Sequence, residues 1–299
     1  MVKKELSLYQ CNPKTLPTTK STCLPQDMLI RLRDNWNESF PNHAISHSLR
    51  KKDDLWEAIR SRLNTQYACS SEYCALTKLG KHKDMTEGSH YFRPAKPEEW
   101  TKHPTEWHSS TSLSRVMEQY EDAFDHFEFI GPVPIDFDKK LRGDWGKCVV
   151  DELCRLQLQE LRKKGTRSVG VIFNLDPHDK PGSHWVCAYI DIVAGKAYYY
   201  DSYGYEPCPE IQRFLRRCKD QGCSDVIWND IRHQRKSSEC GTYCLYVVIS
   251  LLQGKPFSTI CKERIDDDTI HAFRDLLYAS DTLVSDESRI RKCIQLLKL

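Results

Sequence analysis

The sequence lacks any apolar run near the ~18 residues that a membrane-crossing helix needs, so no membrane partner is expected. It also lacks a dominant charge: 44 Lys and Arg against 42 Asp and Glu leave +2, too little for general attraction to nucleic acid or lipid. The opening Met1 to Gln10 carries two lysines with no apolar stretch behind them, which argues against an export signal. No internal repeat is apparent. What remains is an ordinary globular composition, 39% hydrophobic and 29% charged, in 299 residues that suffice for one large core and an additional segment. The 14 cysteines are in excess, yet several sit in regularly patterned apolar segments, Cys154, Cys187 and Cys244 among them. Without an export signal, free thiols in a reducing compartment are the expectation.

Periodicity divides the chain. Leu29, Leu32 and Trp36, then Leu55, Ile59 and Leu63, predict two helices, the second capped by Asp53. A polar stretch from Lys78 to about Glu99 follows, and the division is placed between a helical arm over 1–90 and a larger domain over 91–299. In the latter, Leu113, Val116, Tyr120 and Phe124 keep a helical period after a Ser/Thr-rich cap, and 148–164 reads as one helix stopped by Gly165. Strands are predicted at 168–174, 184–192, 196–200 and 225–229, and helices at 210–218, 240–252 and 267–277. The fold class is α+β, a small mixed β-sheet flanked by helices.

Four positions carry chemistry. Cys240 opens a strongly apolar helix, where the positive end of the helix dipole favours a thiolate, and Gly241 after it is expected to let substrate backbone approach. His184, at a β-rich run, is the candidate base. Asp201, at the end of the aromatic run 197–200, is placed to hydrogen-bond the imidazole from a neighbouring strand and fix its tautomer. Gln234, six residues before Cys240, offers an amide N–H to an oxyanion alongside backbone N–H groups at the helix start. Each has a structural alternative: a core histidine, a turn-forming Asp, a solvent-facing Gln, one buried cysteine among many.

His184-Trp185, Asp201-Ser202 at 17 positions from the histidine, and Gln234 six before Cys240-Gly241 together resemble the SUMO-protease and adenovirus-protease superfamily of cysteine proteases. The segments 129–138, 173–185, the Tyr-Tyr-Asp-Ser-Tyr-Gly run at 199–204 and His-Gln-Arg-Lys-Ser-Ser-Glu-Cys-Gly at 233–241 are similar to proteases of large cytoplasmic DNA viruses. The resemblance implies a papain-like core of the SUMO-protease type and hydrolysis after Gly-Gly, in viral structural precursors during virion maturation or in ubiquitin-like modifiers. It implies that Trp185 and Trp107 are substrate-binding indoles that close over the two glycines, with Trp145 as the runner-up to Trp107. It implies neither cofactor nor metal, and a location at assembly sites in host cytoplasm and in the virion.

Other readings remain: a cellular SUMO or ubiquitin-like deconjugase, a related-fold acetyltransferase, or an inert virion scaffold. Cys69 and Cys74 with His82 and His90 have marginal spacing for zinc, and unliganded thiols are expected instead. Basic residues between Arg31 and Lys52 and from Arg60 to Arg62 raise a DNA activator, with a peptide activator as a further possibility. A solvated charged face is the favoured reading.

Overall fold

The computed structural model describes residues 10–15, 22–141, 146–236, 238–281 and 287–297. The residues read for an export signal at 1–9, and Trp145, lie outside the described residues. The chain divides into two compact units, Met1–Glu98 with Arg274–Lys292, and Glu99–Phe273 with Cys293–Leu299. Among the described residues no helix is long and apolar enough to cross a membrane.

The first unit is built on helices α1 (Gln26–Ser39), α2 (Lys52–Tyr67) and α3 (Glu72–Leu79). Met28, Leu29, Leu32 and Trp36 of α1 meet Leu55, Trp56, Ile59 and Leu63 of α2 in one core, with Ala75 and Leu76 of α3. Asp53 is not the cap of α2: Lys51 holds that position, and Asp53 lies in the first turn, where its charge still faces the positive end of the dipole. The expectation of free thiols fails here. Cys11 is bonded to Cys23, and Cys69 to Cys74, with Cα atoms 5.2 Å and 6.4 Å apart. Cys69 lies just before Ser71, whose hydroxyl caps α3 by accepting from Cys74 N, and this tight entry folds the two cysteines together. Their sulfurs, bonded to each other, are not donors to a metal. Glu72 is buried and accepts from the backbone N–H of Cys23 and Leu24; burial pushes its carboxyl up to about 7. Arg31 is engaged by Asp27, Asp84 and Glu87, and Arg60 by Glu57.

The second unit holds a five-stranded sheet, β1 (Phe127–Pro134), β2 (Ser168–Asn174), β3 (Trp185–Asp191), β4 (Lys196–Tyr200) and β5 (Asp225–Trp228), in sequential order. The outer pairs are parallel and the inner pairs antiparallel, so the sheet is mixed. The helices that matter to the site are α4 (Ser110–Ala123), α5 (Leu158–Lys164), α6 (Pro209–Asp220), α7 (Cys240–Leu252) and α8 (Asp267–Ala272). One sheet face, with Val186, Ala188 and Ile190 of β3, packs with Leu158 and Leu161 of α5 and Ile211, Phe214 and Leu215 of α6. The other receives α7, whose residues from Cys240 through Leu251 are all buried, the pattern of a helix enclosed on every side. Gly170 of β2 permits this approach, since a Cβ there would stand 3.0 Å from Val248 and 2.9 Å from the Phe127 ring.

The helix expected over 148–164 is two pieces, Asp151–Cys154 and α5. Arg217 of α6 donates to the carbonyls of Cys154 (2.6 Å) and Leu153 (2.9 Å), satisfying the groups that the break leaves open. Cys154, expected as a buried free thiol, is half-buried and bonded to Cys148. Cys187 and Cys244 are buried and unbonded, as expected. Gly165 ends α5 at φ 99°, a conformation open to glycine at little cost.

Candidate active site

Antiparallel pairing of β3 with β4 brings the residue before one strand beside the residue after the other. His184 precedes β3 and Asp201 follows β4, and the His184 Nε2 lies 2.8 Å from Asp201 Oδ1. The same carboxylate oxygen accepts from Tyr203 N at 2.8 Å, and Asn229 Nδ2 donates to the Asp201 carbonyl at 3.0 Å. With Nε2 committed to Asp201, Nδ1 is the nitrogen left for Cys240. Burial alone pulls the imidazole pKa down. The hydrogen bond and charge of Asp201, together with the neighbouring Cys240 sulfur, outweigh it and raise the pKa to about 9. The ring stacks on Tyr203, centroids 4.8 Å apart, and the Arg232 guanidinium covers Tyr203 at 5.2 Å.

Cys240 is the first residue of α7 and only 2% exposed. Gln234 is wholly buried, unlike the solvent-facing loop residue that its sequence neighbours suggest. Its Oε1 accepts from Ser202 at 2.6 Å, which fixes the amide's orientation, and Nε2 donates to the Lys236 carbonyl at 2.7 Å, leaving a second N–H to donate elsewhere. The surrounding loop is tied down as well. Ser202 O accepts from both His233 N and Gln234 N, and Asp267 of α8 accepts from Arg235 N and Lys236 N.

The two substrate-binding candidates differ. Trp185 is buried and donates from Nε1 to the His108 carbonyl at 3.1 Å. Trp107, one residue before that carbonyl, is 40% exposed and precedes Ser109, the cap of α4. Beside Trp185 a cleft of about 390 Å³ opens, bordered by His108, Ser109, Val133, Asn174 and Lys180. The space beside Gly241 is not open to substrate: the His108 ring occupies it, and a Cβ on Gly241 would stand 2.9 Å from His108 Cβ.

Sequence reasoning named Ser202 only as part of a motif, without a role, and missed Tyr203, His108, Glu239 and Asp267. The two residues after Asp201 carried a usable signal, being polar and aromatic directly beside a candidate orienter. The others did not, since His108 meets Thr242, Glu239 meets His271 and Asp267 meets Arg235 N only across long stretches of chain.

No family model matches the chain. It is 28% identical over 293 residues to a putative thiol protease of Acanthamoeba polyphaga mimivirus, covering 90% of this chain and 92% of that relative. It is 24% identical over 276 residues to a cysteine protease of African swine fever virus, covering 80% of this chain and 96% of that one. The crystal structure of an African swine fever virus protease superposes with a TM-score of 0.62 over 90% of this chain and 95% of that chain, at 19% identity, the same fold. The chain is a cysteine-type endopeptidase, similar over most of its length to thiol proteases of large DNA viruses. For a protease of this class, the acetyltransferase and scaffold readings give way to hydrolysis of a protein substrate.

Proposed function

We propose that this cysteine protease is an endopeptidase that cleaves after Gly-Gly in viral structural precursors during virion maturation, acting at assembly sites in host cytoplasm and in the particle. The observation that carries the catalytic part is the imidazole bonded through Nε2 to Asp201, with its pKa raised to about 9. A ring of that basicity takes the Cys240 proton and holds it as imidazolium. The thiolate attacks the carbonyl of the second glycine, and the oxyanion receives the unclaimed Gln234 N–H and backbone N–H groups at the start of α7. His184 gives its proton to the departing amine, leaving a thioester on Cys240. Water, deprotonated by His184, then attacks the thioester; a carboxylate leaves and the ion pair is restored.

The preference for glycine rests on the resemblance and on the indole of Trp185, pinned beside the base, with the exposed Trp107 one residue from its anchor. Flat walls close to the scissile bond favour residues without side chains. Relatives from two large DNA viruses favour viral precursors as substrates. A second reading, removal of a SUMO-like modifier, is favoured by one relative from African swine fever virus that bears the name SUMO-1 cysteine protease. A DNA activator has less support, because Arg31 and Arg60 are already engaged by carboxylates.

The test is cleavage of a Gly-Gly-X peptide panel and of a SUMO–lysine isopeptide by the wild type and by Cys240→Ala. Cleavage of Gly-Gly peptides alone, abolished by the substitution, is the expected result. Preference for the isopeptide selects deconjugation. Cleavage that survives Cys240→Ala removes Cys240 as nucleophile.

A further inference from the structure

Beneath Cys240 runs a buried hydrogen-bonded chain that the catalytic cycle does not use. His108 is 4% exposed, and its Nε2 lies 2.9 Å from Thr242 Oγ1. Thr242, wholly buried, donates its hydroxyl to Glu239 Oε2 at 2.8 Å. Glu239 is 2% exposed, and its other oxygen lies 2.8 Å from His271 Nδ1 and 3.1 Å from Ser238 Oγ. Proton accounting gives the chain a direction. A hydroxyl has one hydrogen, and Thr242 uses it on the carboxylate, so Thr242 Oγ1 must accept from His108 Nε2–H. The other ring nitrogen of His108 faces Ser112 Oγ at 3.2 Å, in the first turn of α4.

The two ends of this chain stand at the two sides of the reaction. Glu239 immediately precedes Cys240, and Thr242 lies in the same first helical turn. The carbonyl of His108 holds Trp185, its ring fills the space over Gly241, and its chain neighbour is Trp107. We propose that His108, Thr242 and Glu239 are positioning residues that lock the first turn of α7 to the tryptophan wall, so that the Cys240 sulfur and the substrate chain share one frame. His271 supplies the partner that keeps the Glu239 carboxylate paired from the far side. This rests on Cys240 being the nucleophile and extends that reading to what aims it. A carboxylate at this depth is retained because its donors converge from Ser238 before α7, from α7 and from α8, which apolar packing alone would leave free to slide.

The experiment compares Thr242→Val, which keeps the shape and deletes the hydroxyl, with Thr242→Ser, which keeps the hydroxyl. Two rates are read on folded protein: cleavage of an acyl-Gly-Gly-aminomethylcoumarin peptide, and alkylation of Cys240 by iodoacetamide, resolved by peptide mass spectrometry from the other cysteines. Thr242→Val is expected to lower kcat by about tenfold or more with KM within about twofold, and to slow alkylation in parallel, while Thr242→Ser restores both. A folded Thr242→Val with unchanged kcat and alkylation, a loss confined to KM, or a Thr242→Ser as slow as Thr242→Val overturns the proposal. If Thr242→Val does not fold, His271→Ala takes its place, since that side chain is 37% exposed. It is expected to slow Cys240 alkylation about threefold, and an unchanged rate overturns the proposal. Failure of the nucleophile assignment reads differently, as cleavage surviving in Cys240→Ala. Failure of the Gly-Gly assignment leaves the wild type inert on the peptide while the alkylation comparison still decides.

Discussion

The two sides of the candidate site are held to very different degrees. On the nucleophile side, Asp201 is held by Tyr203 N and Asn229, Gln234 by Ser202, and the loop after Gln234 by Asp267. On the substrate side, Trp185 shares that rigidity through its bond to His108, while Trp107 stands 40% exposed. The difference suits a division of labour. Groups that stabilise a transition state gain most from being preorganised, whereas a wall that must admit a polypeptide gains from staying open until the chain arrives.

The strongest way to break this comparison is to loosen the rigid side at its base. Asp201→Asn keeps the shape and removes the charge that helps hold the His184 pKa at about 9. We expect kcat/KM to fall by about 10²–10⁴, the span typical of lost acid–base catalysis. The pH profile carries the sign. In the wild type, imidazolium is required and is lost as pH rises through about 9, so activity falls on that alkaline limb. Asp201 raises the pKa, so its neutral replacement moves the limb downward. The same linkage applies to stability. A histidine raised from 6.5 contributes fully below 6.5, and the contribution disappears as pH rises through about 9. Thermal melting across pH 6 to 10 should therefore show a decline that is shallower in Asp201→Asn. An unmoved limb would mean that Asp201 only fills space.

Gln234→Ala tests the same side at a second point. Removing one oxyanion donor costs about 10²–10³ in kcat in other enzymes. That loss is expected here with KM nearly unchanged, because the oxyanion exists only in the transition state. If the rate falls less than threefold, the backbone N–H groups of α7 carry the oxyanion alone, and the bond between Ser202 and Gln234 is architecture rather than aim.

The rigid side was also the more legible in the sequence, for a physical reason. A histidine before one strand and an aspartate after its antiparallel neighbour are brought together by strand pairing, which alternation and hairpin length reveal. Cys240 at the start of an enclosed helix is equally readable from its apolar run. What supports these groups was not legible. His108 and Thr242 are 134 residues apart, Ser202 reaches Gln234 from 32 positions away, and Asp267 ties down Arg235 from 32 positions away. Gly241 illustrates the limit: a small residue marks a close approach without saying whose, and here a histidine from the same chain makes it. Cys69 and Cys74 failed differently, because a reading based on compartment overrode local geometry that folds them together. The helix predicted over 148–164 was lost to tertiary hydrogen bonds from Arg217, which reward a break that no local propensity encodes.

The smallest expected effect sharpens the comparison most, because it separates the two tryptophans. Trp185→Ala removes a buried indole and its bond to His108, so it should cost about 3–5 kcal/mol of stability along with activity. Trp107→Ala removes an exposed ring, so stability should change by no more than about 0.5 kcal/mol. If Trp107 closes over the substrate, KM for a Gly-Gly peptide rises by about three- to tenfold, the value of one lost apolar contact, while kcat changes little. The alkylation rate of Cys240 should be untouched, since no substrate chain is present for the ring to cover. A fall in kcat as large as that in Gln234→Ala would place Trp107 on the rigid side after all, ordered before substrate arrives. An unchanged KM would remove it from the site and leave Trp185, with Trp145 as the next candidate for the second indole.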